Sequence, residues 1–456
     1  MEFELNKINI YSLNDLLNKE IVCDCGRKHY TNMKKVLIEE NAIEKTADVL
    51  RELGYKKALI LSDQITWDIA AHKVAEVLDK KEFVYDTDIL QGKVIPDESR
   101  IGNIVINTAK DIDIILSVGT GVICDLGKLV AYKMGIDTGI IVTAPSVDGF
   151  ASKHAAMVIG KLKISYSAVC PTVLIGDVNI LKQAPMSMII AGWSDIMGKF
   201  SALSDWKISS IVNNEYYCNV ISEMVKRSVQ TCRNNLEKIK QRESSAIKEV
   251  MEGLVLTGIA MSFVGTSRPA SGSEHHLSHC WEMKSLENGE KIAPHGIQIG
   301  VSEILIARLY KWLLEKKNEI DFLNIKNQMK NFNEAIWEKN IENYFEENAK
   351  NIINEIKTDK RYALEKRMNR LKTIETNWNE ICKILEHMPS DKDMCTLMKD
   401  AGTAVYPKDI NISEKEVADS VRMAKEVRSK YTILGLLDDL GLLEEFAKKM
   451  EFVCNQ

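Results

Sequence analysis

Four of the chain's eight histidines, His275, His276, His279 and His295, fall in one short window: Ser271-Gly-Ser-Glu-His-His-Leu-Ser-His279, then Ala293-Pro-His295-Gly296. Neutral imidazole is the commonest metal ligand among side chains, so such clustering asks for a chemical reason. If the first part is helical, about 100° per residue sets His275 and His279 on one face, and equally His276 and His279. Spacing alone leaves that choice open. A third imidazole from a separate segment and one carboxylate would complete a divalent-metal site of nitrogen and oxygen ligands, with a position open for substrate. The expected carboxylate is Asp195, in Ala191-Gly-Trp-Ser-Asp195-Ile-Met-Gly-Lys199, whose small residues permit close approach. Any one of these histidines taken singly reads more simply as a core or helix-surface residue.

A second constellation lies upstream. A strand over 113–118 runs into Gly119-Thr-Gly121-Val122-Ile123-Cys124-Asp125-Leu-Gly127-Lys128, and a helix continues to about Tyr132. Backbone amides and the helix dipole at such a junction meet an anionic phosphate, and glycine removes the Cβ from its path. The full G-x-G-x-x-G fingerprint is absent, because Cys124 stands where the third glycine would be. On this evidence alone a plain tight turn is an equal reading. Asp63 ends an earlier strand, Lys57-Ala-Leu-Ile-Leu-Ser-Asp63, and is placed to accept from the ribose hydroxyls of an adenosine. Another strand leads through Thr143-Ala144-Pro145-Ser146 into Val147-Asp148-Gly149-Phe-Ala-Ser152-Lys153, a loop expected at the carboxyl edge of a sheet, where ligands of such folds bind.

The elements that must position these groups alternate in the manner of a parallel α/β domain. Helices are expected over 43–53, 66–78 and 97–109, and strands over 57–63, 82–86, 113–118, 163–167 and 173–177. From Asn179 the pattern is helical throughout, with one helix over 186–203 carrying Asp195 and long helices over 216–238 and 245–265. The expected domains are 1–180, α/β and dinucleotide-binding with a Rossmann-like sheet, and 181–456, all-α and metal- and substrate-binding. Residues 313–390, rich in Lys, Glu, Asn and Ile, form a charged helical insertion read as solvated helix faces.

Composition narrows the class. A chain of 456 residues, 45% hydrophobic and 27% charged, is an ordinary globular protein too long for one core. A net charge of −5 argues against nucleic acid or an anionic membrane as the main partner. No apolar run reaches membrane-spanning length. The start, Met-Glu-Phe-Glu-Leu-Asn-Lys, lacks a signal-peptide pattern, so the ten cysteines are expected as reduced thiols in the cytoplasm. Cys23-Asp24-Cys25 looks like half a zinc site, but no second Cys pair stands at finger spacing, and the pair reads as structural or incidental.

Taken as a set, these motifs occur in a known order. Gly119-Thr-Gly121 with Asp125 and Lys128, the 143–152 loop, Ala191-Gly-Trp-Ser-Asp195, Arg268-Pro-Ala-Ser-Gly-Ser-Glu-His275-His-Leu-Ser-His279, Pro294-His295-Gly296 and the Tyr431-Thr432 region resemble the sn-glycerol-1-phosphate dehydrogenases of bacterial type, within the iron-containing alcohol dehydrogenase superfamily. The resemblance implies a dehydroquinate synthase-like architecture and reversible reduction of dihydroxyacetone phosphate by NAD(H) or NADP(H). It implies Asp195, His275 and His295 as ligands of one divalent ion, nickel, zinc or iron. Asp148 and His279 become catalytic and, with Asp195, substrate-site residues. The dinucleotide contacts become Gly121, Val122, Ile123, Cys124, Asp125, Thr143, Ala144, Pro145, Ser146 and Ser152, with Asp63 by analogy. Lys153, Lys163 and Arg268 are available to the substrate phosphate. A homodimer is the expected assembly. Two departures stand out: His279 to His295 is a few residues longer than the family pattern, and the 313–390 block is larger than in compact relatives.

The alternatives are a glycerol or polyol dehydrogenase or a dehydroquinate synthase-like lyase of the same fold, or a catalytically silent dinucleotide- or metal-binding protein. The lyase favours Glu at position 195, the polyol enzymes lack the Ser-Gly-Ser-Glu-His-His pattern, and all three ligand positions are filled, which counts against a silent form.

Overall fold

The computed structural model describes residues 2–3, 12–159 and 162–451. Six strands, β4 (Lys35–Glu39), β5 (Lys57–Asp63), β6 (Val84–Leu90), β7 (Ile114–Gly119), β8 (Asp137–Val142) and β11 (Val173–Asp177), form one sheet in the order β4-β11-β8-β7-β5-β6. Every neighbouring pair is parallel. Both faces are covered, so the inner strands read as continuous apolar runs rather than alternating ones. Ile60, Leu116 and Ile175 pack into a core with Leu50, Val74 and Leu78. Leu59, Leu61 and Ile115 face the other way, onto Ile104, Leu126 and Val130.

The strand order sets the position of the site. From β5 the chain goes outward to β6, then returns to the opposite side of β5 as β7. That reversal leaves a crevice at the carboxyl ends of β5 and β7, where open α/β sheets bind ligands. Asp63 closes β5 there, and Gly119 closes β7. The smaller sheets are β1 (Glu2–Phe3), β2 (Ile21–Cys23) and β3 (Lys28–His29), and an antiparallel hairpin of β9 (His154–Ile159) with β10 (Leu162–Ser167).

Several boundaries differ from the periodicity. The helix expected over 186–203 is two, Met186–Met197 and Lys199–Val212, interrupted at Gly198. The helix expected from Thr66 starts at Gln64, capped by Asp63, and passes through a π-helical turn over Trp67–Ala71 before His72–Lys80. The strand expected at 82–86 is displaced to Val84–Leu90, and β9 was not expected. Its run of small and apolar residues carries no clear alternation, and only pairing with β10 defines it.

The chain divides into two compact units, 1–196 with 218–270, and 197–217 with 271–456. In the first, the helix Ser244–Val264 packs on the 149–151 loop so closely that a Cβ at Gly258 would stand 2.6 Å from that of Ala151. In the second, the helices Ser273–Asn288 and His295–Glu315 pack together, and helices also fill the 313–390 block. No helix among the described residues is long and apolar enough to cross a membrane.

Candidate active site

His275 and His279 lie one turn apart on the helix Ser273–Asn288, and His295 opens the helix His295–Glu315 after Pro294. Their ring centroids form a triangle, 6.0 Å between His275 and His279, 5.1 Å between His275 and His295, and 6.2 Å between His279 and His295. His276 is wholly buried. His275, His279 and His295 all belong to the second unit, and Asp195 to the first. Asp195 is itself fully buried, and one of its oxygens accepts the Asp148 amide at 3.0 Å. A Cβ at Gly192 would stand 2.0 Å from the Pro145 carbonyl oxygen, so the small residue noted beside Asp195 brings that helix against the 143–148 loop.

Two carboxylates that the sequence did not single out orient the imidazoles. His275 Nδ1 is 2.6 Å from Glu274 Oε1, and His295 Nδ1 is 3.3 Å from Glu282 Oε1. An ionised carboxylate only accepts, so each Nδ1 carries the proton and each Nε2 keeps its lone pair, the arrangement of metal-ligating histidines. A signal for Glu282 was available: His275, His279 and Glu282 are spaced four and three apart, on one helical face.

Glu274 is held in turn by a buried polar network. Its second oxygen lies 2.6 Å from Ser201 Oγ, and that same Oγ lies 2.5 Å from Glu303 Oε2. A hydroxyl has one proton to donate, so one of these two carboxyls must donate back. Burial and the neighbouring Glu274 push the Glu303 carboxyl well above the carboxylate range. The proton therefore sits on Glu303, and Glu274 faces His275 as the acceptor. Burial raises Glu274 as well, opposed by the Ser201 hydroxyl and the Gly272 amide. Asp205, pushed up to about 6 by burial, takes hydrogen bonds from the Ser273 amide and hydroxyl, Tyr310 and the Ile433 amide, which ties down the start of the histidine helix.

On the sheet side, β7 passes through Thr120 directly into the helix Gly121–Met134, and no side chain caps that helix. The Cys124 amide already bonds to the Thr120 carbonyl, so Gly121, Val122 and Ile123 supply the first-turn amides for an anion. The packing duty of the missing third glycine falls to Gly127, where a Cβ would stand 1.8 Å from Ser117 Oγ. Cys124 is buried, and burial pushes its thiol up. Thr143, Ala144 and Ser146 are buried in the loop beyond β8, where the Thr143 amide donates to the Gly119 carbonyl.

An iron-containing alcohol dehydrogenase family model matches residues 37–185. A glycerol-1-phosphate dehydrogenase [NAD(P)+] of Halalkalibacterium halodurans is 31% identical over 91% of this chain and 95% of its own length. The chain belongs to the glycerol-1-phosphate dehydrogenase family. The Thermococcus kodakarensis enzyme of the same name is 32% identical over 61% of this chain and 79% of its own. Among solved structures, an iron-containing alcohol dehydrogenase of Corynebacterium glutamicum shares the fold, with a TM-score of 0.60 at 14% identity over 92% of this chain and 96% of that one.

Within this glycerol-1-phosphate dehydrogenase family member, some motif residues serve the scaffold. Lys128 is wholly buried; its ammonium pairs with Asp125 at 2.8 Å and donates to the carbonyls of Gly149 and His154 at 2.8 and 2.6 Å. Asp125 also accepts the Ala156 amide, and the Ser152 hydroxyl bonds to the same two carbonyls. The side chains of Asp125 and Ser152 thus shape the 149–156 loop. The Asp63 carboxylate accepts the Thr66 amide and hydroxyl through a single oxygen. Lys153 is exposed and Arg268 buried, while the side chain of Lys163 lies outside the described residues.

Proposed function

We propose that this protein reduces dihydroxyacetone phosphate to sn-glycerol 1-phosphate, reversibly, with NADH or NADPH, using one divalent ion held by Asp195, His275 and His295. The observation that carries this reading is the pair of imidazoles, His275 and His295, with ring centroids 5.1 Å apart and each held by a carboxylate at Nδ1; Asp195 joins them by the family resemblance. The donor set suits nickel, zinc or ferrous iron and leaves ligand positions over. The names of the relatives supply the substrate class.

A bound divalent ion supplies Lewis acidity at the substrate carbonyl oxygen, and the nicotinamide supplies the hydride. The chain's own residues do the rest. Glu274 and Glu282 keep the Nε2 lone pairs of His275 and His295 aimed away from their Nδ1 partners. The Asp148 amide holds one oxygen of Asp195. The first-turn amides of Gly121 to Ile123 receive the pyrophosphate, with Thr143 to Ser146 lining the neighbouring strand end. Asp63 receives the ribose hydroxyls on its second oxygen. His279 relays the proton that the product hydroxyl requires, since imidazole exchanges protons near neutral pH, and Asp148 holds the substrate. A homodimer in the cytoplasm belongs to the same reading and rests on the family resemblance; sedimentation tests the assembly.

The test is NADH and NADPH oxidation with dihydroxyacetone phosphate on chelator-stripped protein reloaded separately with Ni²⁺, Zn²⁺ and Fe²⁺. The product is then offered to an enzyme specific for sn-glycerol 3-phosphate. Metal-dependent oxidation to a product that enzyme ignores is the expected outcome, lost in His275→Ala together with metal binding. Turnover by fully stripped protein, or a product that enzyme consumes, would refute the reading.

A further inference from the structure

Far along the chain from these residues, the first unit gathers three thiols and an imidazole. The β2–β3 hairpin contributes Cys23, Cys25 and His29, and Cys218 arrives from the residue before the helix Asn219–Asn234. One ligand atom from each of the four lies within 4.8 Å of all the others. Cys23 Sγ is 3.6 Å from Cys218 Sγ, and His29 Nε2 is 3.4 Å from Cys25 Sγ and 3.8 Å from Cys218 Sγ. Zn–S bonds of ~2.3 Å and a Zn–N bond of ~2.05 Å at tetrahedral angles demand S···S separations of about 3.8 Å and S···N separations of about 3.6 Å. The Cys23–Cys218, Cys25–His29 and Cys218–His29 separations already match those dimensions.

Local structure explains how the ligands meet. Gly26 takes φ +82°, its amide donates to the Cys23 carbonyl, and the Cys23 amide donates to the Arg27 carbonyl. That tight turn folds Cys25 back beside Cys23, while pairing of Ile21 with His29 sets the imidazole across the hairpin. His29 Nδ1 lies 3.1 Å from the Phe263 carbonyl oxygen, which can only accept, so Nδ1 carries the proton and Nε2 presents its lone pair to the sulfurs. The ring also stacks on Phe263 at 5.5 Å. Cys23, His29 and Cys218 are buried, and half-buried Cys25 gives an ion a way in.

We propose that Cys23, Cys25, His29 and Cys218 bind a structural Zn²⁺ ion that staples the N-terminal hairpin to the start of the helix Asn219–Asn234. Three sulfurs and one nitrogen in tetrahedral array select zinc, and four protein ligands leave no position for substrate. Three thiols lose their protons to solvent as the ion binds. The sequence hid the site because its fourth ligand lies 189 residues beyond His29.

The test begins with the intact protein grown with Co²⁺ in place of Zn²⁺. A thiolate-to-cobalt charge-transfer band with intense tetrahedral d–d bands is expected. On zinc-grown protein, about one zinc per chain should survive in the His275→Ala/His295→Ala variant and be released by a mercurial thiol reagent. Cys25→Ser should lose that zinc; if the variant does not fold, the cobalt spectrum of the unmodified chain decides. A folded cobalt protein without the thiolate band, a double-histidine variant without zinc, or a mass two hydrogens light from a Cys23–Cys218 disulfide would each overturn the proposal.

Discussion

Lys128→Met removes a wholly buried ammonium while keeping most of the side-chain volume. The ammonium serves three groups at once: the Asp125 carboxylate at 2.8 Å, the Gly149 carbonyl at 2.8 Å and the His154 carbonyl at 2.6 Å. Asp125 keeps the Ala156 amide, and the Ser152 hydroxyl can serve only one of the two carbonyls at a time. The variant therefore leaves a partly buried carboxylate without its cation and takes one donor from each of two part-buried carbonyls. Removing one partner of a buried ion pair costs about 3–5 kcal/mol. In a unit of roughly 250 residues, at about 2–4 °C per kcal/mol, the transition of the first unit should fall by ~6–20 °C. Scanning calorimetry on Lys128→Met, Asp125→Asn and the double variant measures it. The double variant should lose much less than the sum of the two single losses, because once the charge partner is gone the second removal costs little. Dinucleotide affinity should fall as well, since the same cation shapes the 149–156 loop. A loss below about 1 kcal/mol, or strictly additive losses, would show that the ammonium is not the keystone of this loop.

Glu274→Gln removes the negative acceptor from His275 Nδ1 and should weaken metal binding about 10–100-fold in chelator competition, with the fold retained. Gly127→Ala sets a methyl 1.8 Å from Ser117 Oγ and should cost about 1–3 kcal/mol by overpacking; Ser117→Ala in that background should recover only part, because the new Cβ still stands 3.2 Å from the Ser117 Cβ. Asp205, at about 6 when folded, lies above an ordinary unfolded aspartate, so between roughly pH 4 and 6 the folded chain holds a proton that the unfolded chain has lost. Its contribution to stability is thus fully present below that window and declines as pH rises through it, a slope that Asp205→Asn should remove from the pH dependence of Tm.

The legible parts of the fold were those with strong local signals. β5 and β11 lie where their apolar runs stand, and the glycine turn after β7 opens a helix as expected. β9 escaped because its residues gain a strand's identity only from β10. The helix carrying Asp195 was read too long because apolar spacing continues across Gly198, where the backbone does not. Cys124 was read as a defect in a phosphate-binding turn, yet the close approach it would have provided is made three residues later, at Gly127.

By itself, the sequence determined the family, the parallel α/β class and the short list of ligand-bearing residues, because periodicity, glycine placement and residue chemistry are local properties. The tertiary structure decided which of those residues meet. It set the rings of His275, His279 and His295 in one triangle, placed Glu274 and Glu282 behind two of them, and committed Asp125 and Ser152 to the scaffold. It also moved Cys218 next to Cys23 and His29. Distances of a few ångströms between groups remote along the chain follow from the packing of whole helices and strands, and no local pattern encodes them.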